Sequence, residues 1–266
     1  WLAPLVLAGL FGLDGGAFAL FTALMVLLAT WEWANLAGVT VTAQRAQLVA
    51  VMAALMLIMW LTGAATSIWP LWLSAVGWLV NLYWVTRYPA AGGQWQATGR
   101  RLAMGLWVLL PCWVGFNVLR DVGMAWLLFV LLLVWCADIG AYFVGRNWGK
   151  RKLAPHVSPG KSWEGVFGGL AATTILAMLF ALWLPLGLAG AIALILITAV
   201  VTLASVLGDL LESMLKRHRN IKDSSQLLPG HGGVLDRIDS LTAAIPLFAL
   251  FYVEVLVEVF ARVPPL

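Results

Sequence analysis

The chain is expected to be an all-α polytopic membrane protein with about nine transmembrane helices. Three observations predict this. Apolar residues make up 62% of its 266 positions, whereas soluble domains sit nearer half. These residues come in continuous runs rather than in alternation, which excludes a transmembrane barrel and leaves helices. Charged residues are only 11% of the chain, and most of them fall in short stretches between the runs.

The spans can be read in order, at roughly 1–13, 16–31, 47–62, 69–86, 101–119, 123–143, 164–184, 188–208 and 241–260. The first is short. The sequence opens on Trp1 rather than Met, so span one is expected to be truncated at its start. A cleaved signal peptide is the competing reading, but Asp14-Gly15-Gly16 reads as a tight turn into a second span. Several tryptophans stand near span ends, among them Trp31, Trp33, Trp69, Trp148 and Trp163, as interfacial belts predict. Cys112 and Cys136 fall inside spans without metal-ligand spacing, which suits buried structural roles.

Charge orients the spans. With the N-terminus in the cytoplasm, the loops near 32–46, 87–101, 144–163 and 209–240 lie inside. They hold one, three, five and five Lys or Arg of the sixteen in the chain. Arg120 and Arg262 alone fall outside. The positive-inside rule supports this orientation. It puts both motif-rich loops on the cytoplasmic side. The net charge of +4 follows from these loops and does not imply nucleic acid as a partner. The division expected is an N-terminal helical scaffold, 1–120, and a C-terminal part, 121–266, carrying the chemistry at the cytoplasmic ends of its spans.

Polar residues inside spans carry the functional argument, each against a plainer reading. Asp138 lies within span six, where a carboxylate is costly and should face protein, water or a partner. The plainer reading is an ion pair with Arg146. Tyr142 is four residues after Asp138, on the same helical face. Ser205, Asp209, Ser213 and Lys216 share one face at the end of span eight; the alternative is an ordinary polar helix end. Gly160-Lys161-Ser162 resembles the tail of a P-loop but is not one, because Pro155 stands where the first glycine would be and no strand is expected before it. A re-entrant or interfacial loop is expected there, with Lys161 and Ser162 meeting phosphate. Glu164 caps the next helix or orients Lys161; both readings stay open. Glu254 and Glu258, near the outer end of span nine, either snorkel outward or support an oligomer contact. His156 and His218 are expected in a loop and in solvent.

From Ser213 to Asp239 the chain places eight charged residues and two histidines in 27 positions. Bases, acids and glycines alternate, as in a site holding phosphates and a divalent cation together. A patch for anionic lipid heads alone would carry bases with few acids. Pro229-Gly-His231-Gly232-Gly233 cannot be regular helix. It runs into Asp236-Arg237-Ile-Asp239, where span nine begins. Free N–H groups at that helix start are expected to receive phosphate oxygens; a simple helix cap by Asp236 is the alternative.

This stretch resembles the C-terminal hallmark of the bacterial phosphatidate cytidylyltransferases, or CDP-diacylglycerol synthases. Their pattern is S-x-x-K-R, four residues, K-D, and then H-G-G-x-x-D-R-x-D. Ser213, Lys216, Arg217, Lys222, Asp223, His231, Gly232, Gly233, Asp236, Arg237 and Asp239 fill every fixed position. The likeness continues through Ala137–Arg146 and Ser158–Gly165 and reaches back to Trp31-Glu32-Trp33. The resemblance implies that phosphatidic acid and CTP are substrates, giving CDP-diacylglycerol and pyrophosphate. The lipid phosphate would attack the CTP α-phosphorus in line. Mg²⁺ is implied as cofactor, with Asp209 and Asp236 as its ligands, Asp239 and Asp138 as weaker candidates, and a second cation left open. Lys216, Arg217, Lys222 and Arg237 would hold the triphosphate, with Asp223 and Asp239 in the same catalytic set. Lys161, Ser162, Ser213, His231, Gly232, Gly233, Asp138 and Arg146 would bind substrate. A homodimer is left open. The alternatives are a polytopic transporter or channel built around an intramembrane carboxylate, and a non-catalytic scaffold that uses the basic loops to bind anionic lipid. No inverted repeat supports the transporter, and the scaffold leaves the acids and the glycine turn unused.

Overall fold

The computed structural model describes residues 2–261 apart from Pro185 and His231; Arg262 therefore lies outside the described residues. The helices are α1 (Leu2–Gly12), α2 (Gly15–Leu36), α3 (Thr42–Leu61), α4 (Trp69–Thr86), α5 (Gly92–Trp95), α6 (Thr98–Val122), α7 (Met124–Trp148), α8 (Trp163–Trp183), α9 (Gly187–Arg219), α10 (Leu235–Phe251) and α11 (Val257–Ala261). A π-helical segment, Tyr252–Leu256, joins the last two. Each of the nine predicted spans corresponds to helix.

Among the described residues, seven helical segments are long and apolar enough to cross a membrane. Two predicted spans fall short, for different reasons. The described part of α1 has 11 residues, about half of what a crossing needs. α4 has 18 residues with four tryptophans, Ser74 and Asn81. Ser74, Trp78 and Asn81 form one buried face against α6, α9 and α10. Its other face, with Leu73, Val76 and Leu79, is exposed and apolar, so the polar residues that lower its hydropathy sit on the side turned to the bundle.

The sequence underestimates the long helices because apolarity stops before hydrogen bonding does. α9 has 33 residues, about 50 Å of helix against a hydrocarbon core of about 30 Å. Its basic end, Lys216–Arg219, is therefore helix rather than loop. It stops at Asn220, which adopts the left-handed conformation (φ 53°) while the Ile221 N–H bonds back to Lys216 O, an ending typical of helices. α7 likewise runs on to Trp148 and carries Arg146.

Residues Lys152–Ala154 and Ser158–Ser162 pair as an antiparallel hairpin, β1–β2. This corrects the expected irregular loop: Lys161 and Ser162 belong to a strand. Trp33 is also not interfacial. It is 4% exposed and donates to Arg101 O at 2.7 Å. Trp69, Trp148 and Trp163 are exposed, as expected of belt residues. Cys112 is buried, and both cysteines are free thiols.

Two features fix the C-terminal helices. Towards one end, Phe129 of α7 meets Phe180 of α8 (ring centroids 4.7 Å) and Phe248 of α10 (5.4 Å), with Trp126 edge-on to Tyr252 (5.0 Å). Towards the other, backbones nearly touch. A Cβ on Gly140 would lie 2.6 Å from Gly168 O, and one on Gly208 would lie 2.5 Å from Asp239 O. The second approach brings α10 against α9 beside Asp209.

The four basic loops meet at one end of the bundle. Asn35, after α2 turns towards α3, donates to Ser224 O. Arg101 reaches Leu36 O, Arg217 reaches Val157 O beside the hairpin, and Arg219 reaches Asn35 O. At the opposite end Arg120 pairs with Asp14 and Leu13 O. This is the segregation that the charge pattern predicts.

Candidate active site

The site lies where α9, α10 and the hairpin converge at the basic end. From α9, Asp209 points at Lys161 of β2, with Nζ–Oδ2 at 2.6 Å. Ser213, one turn on, donates to Asp209 Oδ1 at 3.1 Å. Lys216, nearly another turn on, lies between two carboxylates: Glu212 Oε2 at 3.0 Å and Asp236 Oδ1 at 2.7 Å. The predicted polar face of α9 is thus real. Ser205 stands apart, bonding to Thr202 O in the buried part of the helix.

Asp236 opens α10 and reaches back over the preceding turn. Its Oδ2 accepts from Gly233 N (2.7 Å), Ser224 N (3.0 Å) and Ser224 Oγ (2.8 Å), and Lys216 holds its Oδ1. The N–H groups of Val234 and Leu235 are bonded to Glu32, at 3.0 and 2.6 Å. The start of α10 therefore offers no free N–H at residues 233–235. This corrects the expectation that phosphate oxygens would be received there: carboxylates already satisfy the donors that a helix start leaves open.

Several predicted roles are redrawn by the hairpin. Ser162 is buried and caps α8, accepting from Gly165 N at 3.2 Å. Glu164 neither caps α8 nor touches Lys161. It binds Arg151 Nε at 2.9 Å and the N–H groups of Lys150 and Arg151, so it ties the end of α7 to the hairpin. Arg146 donates to Tyr142 Oη at 2.7 Å, which removes the Asp138–Arg146 ion pair as an account of Asp138. Asp138 instead lies within electrostatic reach of Lys161 and Asp209. His218 meets the Trp95 ring edge-on at 5.1 Å, so it is packed rather than free in solvent. His156 is exposed in the turn between β1 and β2. Glu254 accepts from Trp72 Nε1.

Lys222, Asp223, Gln226, Gly230, Gly232 and Arg237 border an open cavity of about 530 Å³, within the range that accepts a small ligand. Among the described residues, Lys222 and Arg237 make no ion pair. Arg217 touches Val157 O from an exposed position. Gly232 has φ +80°, and a Cβ there would meet Asp236 Oδ2 at 2.8 Å. A Cβ on Gly233 would collide with Ser224 Oγ and Glu32 Oε1. Both glycines are thus required by the turn. His231 lies outside the described residues.

The structure also adds two acids, Glu32 and Glu212. Glu32 is fully buried and accepts from Ser225, Val234 and Leu235. Glu212 is 2% exposed, and its Oε1 has no hydrogen-bond partner among the described residues. Both are carboxylates within predominantly apolar helices, the signal that singled out Asp138. Glu212, three residues after Asp209, was within reach of the same helical-face argument.

The donor chemistry fits a hard divalent cation, which prefers carboxylate oxygens. Asp209, Asp239 and Glu212 influence one another electrostatically, and Glu212 Oε1 is a buried acceptor left over. Among the described residues no three acidic, His or Cys side chains stand ready-placed as a ligand group; lysines hold Asp209 and Asp236.

A family model described as the cytidylyltransferase family matches residues 1–255. The chain belongs to this family. It is 49% identical over 254 residues to a phosphatidate cytidylyltransferase of Pseudomonas aeruginosa, covering 93% of this chain and 92% of that one. The phosphatidate cytidylyltransferase of Haemophilus influenzae is 42% identical over 274 residues, with 94% and 95% covered. That of Bacillus subtilis is 45% identical over 137 residues, covering 50% of this chain and 51% of its own. Membership of this family accounts for two kinds of paired charge at one end of a helical bundle, and it favours the enzymatic reading over the transporter.

Proposed function

We propose that this chain is a phosphatidate cytidylyltransferase, joining CTP and phosphatidic acid to give CDP-diacylglycerol and pyrophosphate. The observation that carries the reading from geometry is the cavity bordered by Lys222 and Arg237, which make no ion pair among the described residues, at the same end of the bundle as the Lys216–Asp236 and Lys161–Asp209 pairs. A triphosphate needs such free cations. A lipid phosphate needs the site to lie where membrane helices emerge, as this one does.

The lipid phosphate is the nucleophile, so no side chain forms a covalent bond. A phosphate monoester is already largely ionised at neutral pH, so no general base is required. The protein's task is to position two anions and offset their charge. Lys222 and Arg237 hold the triphosphate from the cavity side, with Arg217 and Asp223 at its rim. Lys216 sits deeper, between Glu212 and Asp236, and stabilises the charge that gathers on the leaving pyrophosphate. Lys161 faces the site from the hairpin, on the side of Asp138, Tyr142 and Arg146, and receives the lipid phosphate. Ser213 orients Asp209. Ser162, Gly232 and Gly233 shape the site through the backbone. Asp209 and Asp236 would hold Mg²⁺, with Asp239 and Glu212 beside them. Bound there, the ion would neutralise charge on the triphosphate. The loops at this end face the cytoplasm of a bacterial inner membrane, the compartment that supplies CTP.

The test is purified protein with phosphatidic acid and each of the four nucleoside triphosphates, with and without Mg²⁺, followed by lipid analysis. CDP-diacylglycerol is expected with CTP and Mg²⁺ only. Turnover with every nucleotide, or with none, would overturn the substrate assignment. Sidedness has its own check. A cysteine at position 226 is expected to resist an impermeant thiol reagent in sealed cells and to react in inverted vesicles; labelling from outside would reverse the orientation.

A further inference from the structure

We infer that Glu32 is a positioning residue: it clasps both ends of the loop between α9 and α10, and so sets the nucleotide cavity that Lys222 and Arg237 border. The inference rests on reading that cavity as the nucleotide site. It assigns a role in the chemistry to α2, which belongs to the half of the chain expected to be scaffold.

Glu32 lies in α2, some two hundred residues from the loop in sequence, and is 0% exposed. Its Oε1 accepts from Ser225 Oγ and Val234 N, and its Oε2 accepts from Leu235 N. The Ser224 hydroxyl has one proton to give; it donates to Asp236 Oδ2 at 2.8 Å and lies 3.3 Å from Glu32 Oε2. Oε1 therefore binds one donor from each side of the loop. The residues between include Gln226, Leu228, Gly230 and Gly232, all cavity-lining. An isolated buried carboxylate is expensive, but hydrogen bonds to an ionised acceptor are about twice as strong as neutral ones. Three such bonds, one from 225 and two from 234–235, make this a clasp.

Helix capping alone does not account for the arrangement. A cap needs only the Val234 and Leu235 bonds, whereas the Ser225 bond ties the far side of the loop. Asn35, three residues after Glu32, adds to the hold. Its Nδ2 donates to Ser224 O, and its carbonyl accepts from Arg219 Nε. Gly233 fits the same geometry, because a side chain there would push between Ser224 and Glu32. Inside the clasped loop, Leu228 N bonds to Gly232 O at 2.9 Å, which closes the turn at the cavity edge.

The experiment uses the full chain in detergent with Glu32→Gln and Ser225→Ala. Three quantities are read: hydrogen exchange of the 222–235 amides, steady-state kinetics, and thermal unfolding. Glu32→Gln keeps the shape but leaves one carbonyl oxygen for three donors. Exchange at Leu228 is expected to accelerate at least 10-fold, with exchange in α7 and α8 unchanged. KM for CTP is expected to rise at least 10-fold, while kcat and KM for phosphatidic acid stay within 3-fold. Ser225→Ala removes one donor and should act in the same direction with a smaller effect; it decides the matter if Glu32→Gln does not fold. Unchanged exchange and KM would overturn the inference, as would faster exchange spread evenly through α2, α9 and α10. If the wild-type protein transfers no cytidylyl group, the activity reading fails, and the exchange data still decide on the clasp.

Discussion

Asp209→Asn is expected to lower kcat by about 10²-fold or more while leaving thermal stability nearly unchanged. The Lys161–Asp209 pair is partly exposed on both sides, at 27% and 31%. Pairs of that kind contribute at most about 1 kcal/mol to folding. Ser213 can donate to an amide oxygen as well as to a carboxylate, so the local helix is preserved. What the substitution removes is negative charge at the point where the hairpin, α9 and α10 meet. Losing about 3 kcal/mol of transition-state stabilisation corresponds to a rate loss of roughly 10²-fold. Lys161 is released from its partner, so KM for either substrate should not increase. Steady-state kinetics and a thermal scan of the same preparation check this. A raised KM with an intact kcat would make Asp209 a binding residue instead.

The architecture was legible in the sequence because its cause is composition. Continuous apolar runs have one solution in lipid, and basic loops have a preferred side. The segregation of Arg45, Arg87 and the basic residues of 144–163 and 209–240 from Arg120 reappears as two chemically distinct ends of the bundle. Helix ends were less legible, since hydrogen bonding carries α9 to Arg219 and α7 to Trp148 beyond the apolar stretch. The hairpin was hidden because Ser158–Ser162 contains Pro159 and Gly160, residues that weaken a strand pattern.

The site shows the same division. That Asp209, Ser213 and Lys216 share one face was readable from their spacing. What they touch was not, because the partners come from distant segments. Lys161 binds Asp209 from across the bundle rather than binding Glu164 beside it. Glu32 reaches a loop that no local pattern connects to α2. The N–H groups of residues 233–235, where free donors were expected, are occupied because Asp236 folds back on Gly233 and Glu32 reaches Val234 and Leu235 from α2.

Asp236→Asn is the second large effect, and it should differ in kind from Asp209→Asn. The Asp236 side chain is 6% exposed and holds Lys216, the Ser224 N–H and hydroxyl, and the Gly233 N–H. An amide can accept through one oxygen only. Its NH₂ would confront either the Lys216 ammonium or the donors of the turn. Lys216 keeps Glu212 as its partner, so the cost is that of buried donors left unsatisfied, about 1–3 kcal/mol. Turnover should fall at least about 10²-fold, as for Asp209, but here the melting temperature should fall as well. The Mg²⁺ concentration for half-maximal rate should rise, and binding of phosphatidic acid should change far less. Asp236→Glu should also be poor, because its carboxylate stands about 1 Å out of place. Were Asp236 only a helix cap, Asn would serve as well as Asp and the variant would be close to wild type. Turnover against Mg²⁺ and a thermal scan therefore separate the two roles. A wild-type Mg²⁺ curve would end the ligand assignment, and an unchanged melting temperature would show that the turn does not depend on the carboxylate.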